Sequence, residues 1–422
     1  MNFKPKDHIV IIGGGFAGMR LIKELKNKPV KITLIDKQNY HSFQPLFYQV
    51  ASARLEPASI SFPFRKVFQG YKNFEFRMTD VKSIDARNKL IITNNGIVTY
   101  DHLVIATGCT TNFFGNNELK KNALAMKTMQ EAIEIRNRIL LDFESYLTAN
   151  LEEKEKLMNI VIVGAGATGV ELAGAFSELK IDILPKDYPG VDFSKLRIIL
   201  LEGSPFTLGN LSDESKAFSR KYLEELGVDV KTNVILQSYD GSVAVLSNGE
   251  RIPCSNLIWS AGVTGNVLAG VTNPENIIRN RYVVDRYNLV DGTDCIYALG
   301  DIAYMETSEY PKGHPQVANV AITQAKNLSK NILSSLKGKD LIEYVYKDKG
   351  SMATIGKHKA VVDLKYFKFQ GMFAWFVWMF LHLMLILSVR NKLIIFINWA
   401  WSYVTKDTSL RLIITSDDAE DV

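Results

Sequence analysis

Hydrophobic and polar positions along this chain fall twice into the same design. His8-Ile-Val-Ile-Ile12 is a short β-branched run, followed by a glycine turn and by Met19-Arg-Leu-Ile-Lys-Glu-Leu25, whose apolar residues recur at steps of three and four. Asn159-Ile-Val-Ile-Val163 is followed in the same way by a glycine turn and the periodic segment Val170-Glu-Leu-Ala-Gly-Ala-Phe176. A run of that kind predicts a buried strand, and the period after it a helix, so each copy opens a βαβ unit. The charged, helically periodic segment from Gln130 to Glu155 predicts a connecting helix, and Cys295-Ile-Tyr-Ala-Leu-Gly-Asp301 a strand by which the first unit resumes. The expected fold is α/β, with two Rossmann-like dinucleotide-binding domains, the second inserted in the first, and a C-terminal membrane-docking region. Its boundaries are placed at 1–125 with 285–348, at 126–284, and at 349–422.

The turns carry the chemistry. In Gly13-Gly14-Gly15-Phe16-Ala17-Gly18 the first glycine permits the bend, the central one lets a pyrophosphate approach the backbone, and the last lets helix and strand pack. The helix N-terminus supplies N–H donors and the positive end of its dipole. Asp36 ends the next strand, where a carboxylate accepts hydrogen bonds from a ribose 2′-hydroxyl. Gly164-Ala165-Gly166-Ala167-Thr168-Gly169 repeats these parts, with Glu202 as the acid; Leu184-Pro-Lys-Asp-Tyr-Pro-Gly190 reads as an inserted loop that lengthens the spacing. A carboxylate there repels a 2′-phosphate, which favours NADH over NADPH. Two such sites imply one bound flavin and one exchangeable nicotinamide, with the hydride chemistry belonging to the cofactors.

Composition narrows this reading. A chain of 422 residues, 47% hydrophobic and 23% charged, has length for two or three domains. A net charge of +5 without a basic stripe argues against nucleic-acid binding. Cys109, Cys254 and Cys295 are scattered singly, so no CxxC pair or disulfide framework is available, and the six histidines form no ligand-spaced set, so no metal is expected. The first residues leave no room for a signal peptide before the first strand, which with the isolated cysteines points to the cytoplasmic side.

From Leu364 through Lys406 there is no Asp or Glu, while Lys365, Lys368, Arg390, Lys392 and Lys406 flank two apolar runs. Trp375, Trp378, Trp399 and Trp401 lie there, as interfacial anchors would. Gly371 to Val389 is barely long enough to span a bilayer, and Leu393 to Val404 is too short. A polar stripe at Asn391, Asn398, Ser402 and Thr405 suits a helix lying in the interface plane. A buried core or dimer interface also explains the apolar residues, but not the missing acids.

On its two turns, and on Asn39-Tyr-His-Ser-Phe-Gln-Pro-Leu-Phe-Tyr-Gln-Val-Ala51, Tyr100-Asp-His-Leu-Val-Ile-Ala-Thr-Gly108, Ala298-Leu-Gly-Asp301 and Asn398-Trp-Ala-Trp401, the chain resembles the type II, non-proton-pumping NADH:quinone oxidoreductases nearly end to end. The resemblance implies non-covalent FAD at Gly13, Gly14, Gly15, Phe16, Ala17, Gly18, Asp36, Lys37, Val81, Thr107, Gly108, Asp301, Ala318 and Lys392. Asp301 either accepts from ribityl hydroxyls or caps the following segment, and Lys392 either approaches the flavin or meets a phospholipid. NADH, as substrate, is implied at Gly164, Gly166, Ala167, Thr168, Gly169, Glu171, Glu202, Ala261 and Gly262. Glu171 is the implied catalytic residue between nicotinamide and quinone, positioning substrate or relaying protons; its plain alternative is a solvent-facing or N-terminal-turn glutamate favoured by the helix dipole. Gln44, Asn319 and Thr323 are the implied quinone contacts, and here the sequence departs from the family's AQxAxQ pattern, with Asn319 and Thr323 standing where glutamines are usual.

The implied activity passes a hydride from NADH to FAD and two electrons to a respiratory quinone, on a protein docked monotopically at the cytoplasmic face of the bacterial inner membrane, with a homodimer among its partners. A ferredoxin reductase leaves the C-terminal region unexplained, and a sulfide:quinone reductase requires a cysteine pair. A membrane-bound NADH-responsive flavoprotein with slow turnover is the alternative that the departures at Asn319 and Thr323 sustain.

Overall fold

A computed structural model describes residues 1, 3–406 and 410–414. The end of the 349–422 region, at 407–409 and 415–422, therefore lies outside the described residues. The chain forms two compact units, one of residues 1–42, 61–110 and 263–348, the other of 43–60, 111–262 and 349–422.

The first unit is built on a five-stranded parallel sheet in the order Ile296–Ala298, His102–Ile105, His8–Ile12, Lys31–Asp36, Phe74–Met78. The β-branched run sits at its centre, where both faces are covered and a strand reads as continuously apolar; Ile9, Val10 and Ile11 are fully buried. The strand from Cys295 returns to the sheet edge. The segment from 263 joins this unit because Val271, Tyr282 and Val284 pack into the cluster formed by Val10, Ile35 and Leu103. A three-stranded antiparallel sheet, Val81–Asp85, Leu90–Thr93 and Gly96–Thr99, completes it.

The second unit repeats the plan, with the order Leu124–Ala125, Asn256–Trp259, Asn159–Val163, Arg197–Glu202, Val228–Thr232, all parallel. The connecting segment is two helices, Met129–Tyr146 and Leu151–Leu157, each opened by a capping box, Thr128 with Glu131 and Asn150 with Glu153. The stretch read as an inserted loop begins helically instead. The helix Ala167–Glu178 continues through a π-helical turn, Leu179–Ile183, into Leu184–Asp187, where Pro185 sits in the first turn and needs no N–H.

After the antiparallel strands Ser351–Thr354, Ala360–Asp363 and Lys368–Gly371 come two helices, Met372–Leu385 and Val389–Thr405. The run Gly371 to Val389 is thus broken at Ile386–Ser388, and no helix among the described residues is long and apolar enough to cross a membrane.

These two helices are inverted relative to helices of a soluble core. Asn391 is buried and donates to the carbonyls of Ala58 and Ser59, at 3.2 and 2.8 Å, while Asn398 and Ser402 line a cavity. Three of the four stripe residues, Asn391, Asn398 and Ser402, therefore face protein or the cavity rather than an interface, while Thr405 bonds the Trp401 carbonyl of its own helix. Outward stand Phe373, Phe380, Phe396, Ile397, Trp401 and Val404, the last 80% exposed. Three of the four tryptophans read as anchors, Trp375, Trp378 and Trp399, line the cavity, and Trp401 alone of the four is exposed.

Candidate functional site

The two glycine turns share one backbone geometry. Gly13 and Gly164 have φ of +102° and +100°, a left-handed region that disfavours any other residue. A Cβ on Gly18 would lie 2.1 Å from the Gly13 carbonyl oxygen, and one on Gly169 1.9 Å from that of Gly164. Gly15 and Gly166, the residues before each helix, face open space, with no atom within 4 Å of where a Cβ would be. Each turn therefore presents a helix N-terminus to a space bare of side chains, the cradle that a pyrophosphate requires.

The acids are held alike. Asp36 accepts from the N–H of Gly14 at 2.6 Å and of Gln38 at 2.8 Å. Glu202 accepts from Ala165 at 2.8 Å and Ser204 at 2.8 Å. A carboxylate offers about four lone-pair sites, so each keeps acceptors for ribose hydroxyls. The residues present fit two dinucleotides. Burial pushes the Asp36 carboxyl up, with the two N–H groups and Lys37 opposing. Beneath the first turn, His41 bonds the Gly14 carbonyl at 3.0 Å, and burial holds its pKa down to about 4, so it is neutral.

The first unit brings Gly13 to Gly18, Asp36, Lys37, Val81, Thr107, Gly108, Asp301, Ala318, Asn319 and Thr323 into one body. Thr107 exchanges hydrogen bonds with Asn266, at 2.8 and 3.1 Å, and Gly108 accepts from the Asn266 N–H at 3.1 Å. Asp301 lies inside the short 3-10 turn Gly300–Ile302, whose N-cap is Leu299, so the capping alternative does not hold. Its carboxylate accepts from the Cys109 thiol at 2.8 Å. Ala318 is the first residue of the helix Ala318–Ser335. On that helix Thr323 bonds the Tyr344 hydroxyl at 2.8 Å and the Asn319 carbonyl at 2.6 Å, and the Asn319 amide reaches the Lys347 carbonyl at 3.5 Å.

The second unit holds the remaining residues: Gln44, exposed in a 3-10 turn; Lys392, donating to the Met384 carbonyl at 3.2 Å; and Gly164 to Gly169, Glu171, Glu202, Ala261 and Gly262. Ala261 backs the second turn, its Cα 2.9 Å from where a Cβ on Gly164 would sit.

Glu171 is not a solvent-facing glutamate. It is 9% exposed, and no ion pair with it occurs among the described residues. It accepts one long hydrogen bond, 3.4 Å, from the Thr354 N–H. Burial pushes its pKa up to about 8, so the carboxyl is mostly protonated at neutral pH. It lines a cavity of about 50 Å³, partly open to solvent, together with Tyr48, Gln49, Arg54, Thr354, Lys357 and the three inward tryptophans. Arg54 pairs with Glu178, and Lys357 with Asp182 at 3.4 Å, so the cavity's cations are already neutralised. Of the lining residues, the sequence pointed to Glu171 and the tryptophans but not to the others. Tyr48 and Gln49 stood inside a quoted motif, but Arg54, Thr354 and Lys357 carry no spacing signal.

Residues 7–325 match the pyridine nucleotide-disulphide oxidoreductase family and residues 349–406 the NDH2 C-terminal domain. The type II NADH:quinone oxidoreductase NdhA of Mycobacterium tuberculosis is 33% identical over 417 residues, covering 94% of this chain and 87% of the relative. This chain belongs to the type II NADH:quinone oxidoreductase family. The enzyme of that name from Staphylococcus haemolyticus is 30% identical over 365 residues, 85% of this chain and 90% of its own length. The solved NDH2 of Plasmodium falciparum in complex with NADH shares the fold with a TM-score of 0.89 at 22% identity, over 97% of this chain and 100% of that one. Membership accounts for the two matched turns and for the C-terminal region that matches the NDH2 C-terminal domain.

Proposed function

We propose that this chain holds FAD at the first glycine turn, takes NADH at the second, and delivers two electrons to a membrane quinone without pumping protons. The observation that carries the reading is one helix, Ala167–Glu178. Its N-terminus is the second phosphate cradle, and its next turn carries buried Glu171 to a cavity walled by tryptophans of the C-terminal helices. Hydride acceptance and electron delivery are supplied by FAD when bound. The protein's share is to bind, orient and hold protons.

Gly13 to Gly18, Asp36, Lys37, Val81, Thr107, Gly108, Asp301 and Ala318 are assigned to FAD. The glycine backbone suits the pyrophosphate, Asp36 a ribose, and Asp301 the ribityl hydroxyls. Gly164, Gly166, Ala167, Thr168, Gly169, Ala261, Gly262 and Glu202 are assigned to NADH, Glu202 repelling the extra phosphate of NADPH. Glu171 holds a proton at its carboxyl near neutral pH, where a quinone oxygen needs one. Gln44, Asn319 and Thr323, none of which is among the residues lining the cavity beside Glu171, are assigned to further contacts with the quinone, and Lys392 to the flavin or to a lipid phosphate. The outward apolar face of the two C-terminal helices, flanked by Lys365, Lys368 and Arg390, docks on the cytoplasmic face of an anionic membrane without crossing it. A homodimer is compatible with this orientation.

Steady-state NADH oxidation with and without a soluble quinone analogue tests the reading. Oxidation that depends on the quinone is expected. Flavin reduction by NADH without quinone-dependent reoxidation overturns it and favours an NADH-responsive binding protein.

A further inference from the structure

Four buried or half-buried side chains in the second unit form one hydrogen-bonded line from the C-terminal helix Val389–Thr405 to the cavity beside Glu171. The indole Nε1–H of Trp399 donates to Gln49 Oε1 at 2.8 Å. Gln49 Nε2 donates to the Tyr48 hydroxyl at 2.9 Å, and that hydroxyl lies 3.1 Å from Thr354 Oγ1. Gln49 and Tyr48 are each 6% exposed and Thr354 2%, so water does not substitute freely for any link.

The direction of this line follows from its first member. An indole nitrogen is a donor only, so the atom it meets on Gln49 must be the carboxamide oxygen. The amide NH₂ is thereby turned to Tyr48, whose oxygen accepts. Among the described residues, Thr354 Oγ1 is the acceptor within reach of the Tyr48 hydrogen; pointing that hydrogen elsewhere would leave a buried donor unsatisfied. Thr354, accepting from Tyr48, is left with its own O–H to give.

We propose that Trp399 polarises the chain Gln49–Tyr48–Thr354 so that the Thr354 hydroxyl presents its hydrogen to a carbonyl oxygen of the quinone bound in this cavity. The inference rests on the quinone reading and deepens it. It makes Thr354 a direct contact to the oxidised headgroup, and Trp399, Gln49 and Tyr48 positioning residues. It also links headgroup recognition to the seating of the membrane-docking helix, because withdrawing the indole frees the Gln49 amide to flip.

The test uses the full-length FAD-loaded protein, with anaerobic flavin reduction by NADH followed by reoxidation with a soluble quinone analogue. Thr354→Val keeps the shape and deletes the hydroxyl; the KM for quinone is expected to rise about tenfold, the loss appearing in reoxidation and not in reduction. Thr354→Ser is expected to restore it. Gln49→Glu is the polarity probe. Its carboxylate accepts from both Trp399 and Tyr48, turning the Tyr48 hydrogen away from Thr354, so the rise of Thr354→Val should recur with Thr354 intact. Trp399→Phe is expected to give a smaller rise, about threefold.

A quinone KM within twofold of wild type in Thr354→Val, or failure of Thr354→Ser to restore it, overturns the proposal. The near-isosteric Val and Ser variants carry that decision even if Gln49→Glu loses its FAD. A wild-type protein whose reduced flavin is not reoxidised by quinone would instead remove the quinone reading, and this proposal with it.

Discussion

The two glycine turns are the same backbone used for different ends. Aligning Gly13 with Gly164 and Gly18 with Gly169 sets Arg20 opposite Glu171. Arg20 is partly exposed and paired with Glu24 one helical turn away. Glu171 is buried with a single long N–H contact and a pKa of about 8. The start of the second helix is also more open: Gly15 and Gly166 are exposed alike, but Ala167 and Thr168 are exposed where Phe16 is half-buried and Ala17 buried. A turn closed over by its own side chains suits a resident cofactor, and an open one suits a ligand that leaves each cycle. Two copies of one fold are thus told apart by a few side chains rather than by the backbone.

The sharpest way to break this comparison is to damage both turns equally. Gly18→Ala and Gly169→Ala each force a Cβ against a carbonyl oxygen, at 2.1 and 1.9 Å. Gly18→Ala is expected to yield protein with little or no flavin. Gly169→Ala should purify yellow, with NADH binding weakened by about a hundredfold or more. Equal flavin contents would remove the distinction between resident and exchangeable sites.

The acids offer a gentler test. Glu202→Gln keeps the acceptor geometry and removes the charge, so discrimination against NADPH should relax by about tenfold in kcat/KM. Asp36→Asn should leave that ratio unchanged and lower FAD retention instead.

Glu171 gives the pH dependence. Its folded pKa is raised, so the neutral acid is the form that the fold favours: the associated stability is fully present below the unfolded glutamate pKa and is lost as pH rises through about 8. In Glu171→Gln that loss should vanish, leaving the variant relatively more stable than wild type at pH 9 than at pH 5 in thermal unfolding. Reoxidation by quinone should fall through the same pH range in wild type and be flat, and slower, in the variant.

The smallest effect is at the membrane. Phe380→Ser with Val404→Ser should lower vesicle binding several-fold while leaving NADH reduction of the flavin intact, since both side chains point outward. Unchanged binding would mean that the outward apolar face does not dock.

The turns were legible because strand, glycines, helix and acid are consecutive and obey one periodicity. Legibility failed where partners are distant. Tyr48, Glu171, Thr354 and Trp399 come from four separate segments, and nothing local marks Thr354 or Lys357. The tryptophans show the limit of composition: their number suggested interfacial anchors, but number does not say which way a helix faces. Their helical phase did carry that information. Trp375 and Trp378 are three apart, as are Trp399 and Ser402, so each pair shares one side, and in each pair that side is the cavity wall. In the polar stripe, Asn391 has its partners more than 300 residues away at Ala58 and Ser59.

The most direct measurement follows the visible absorbance of the purified protein without oxygen. Oxidised-flavin absorbance bleached by a stoichiometric addition of NADH and restored by a menaquinone or ubiquinone analogue is the predicted result. Absorbance that NADH fails to bleach, or that stays bleached after quinone is added, would contradict it.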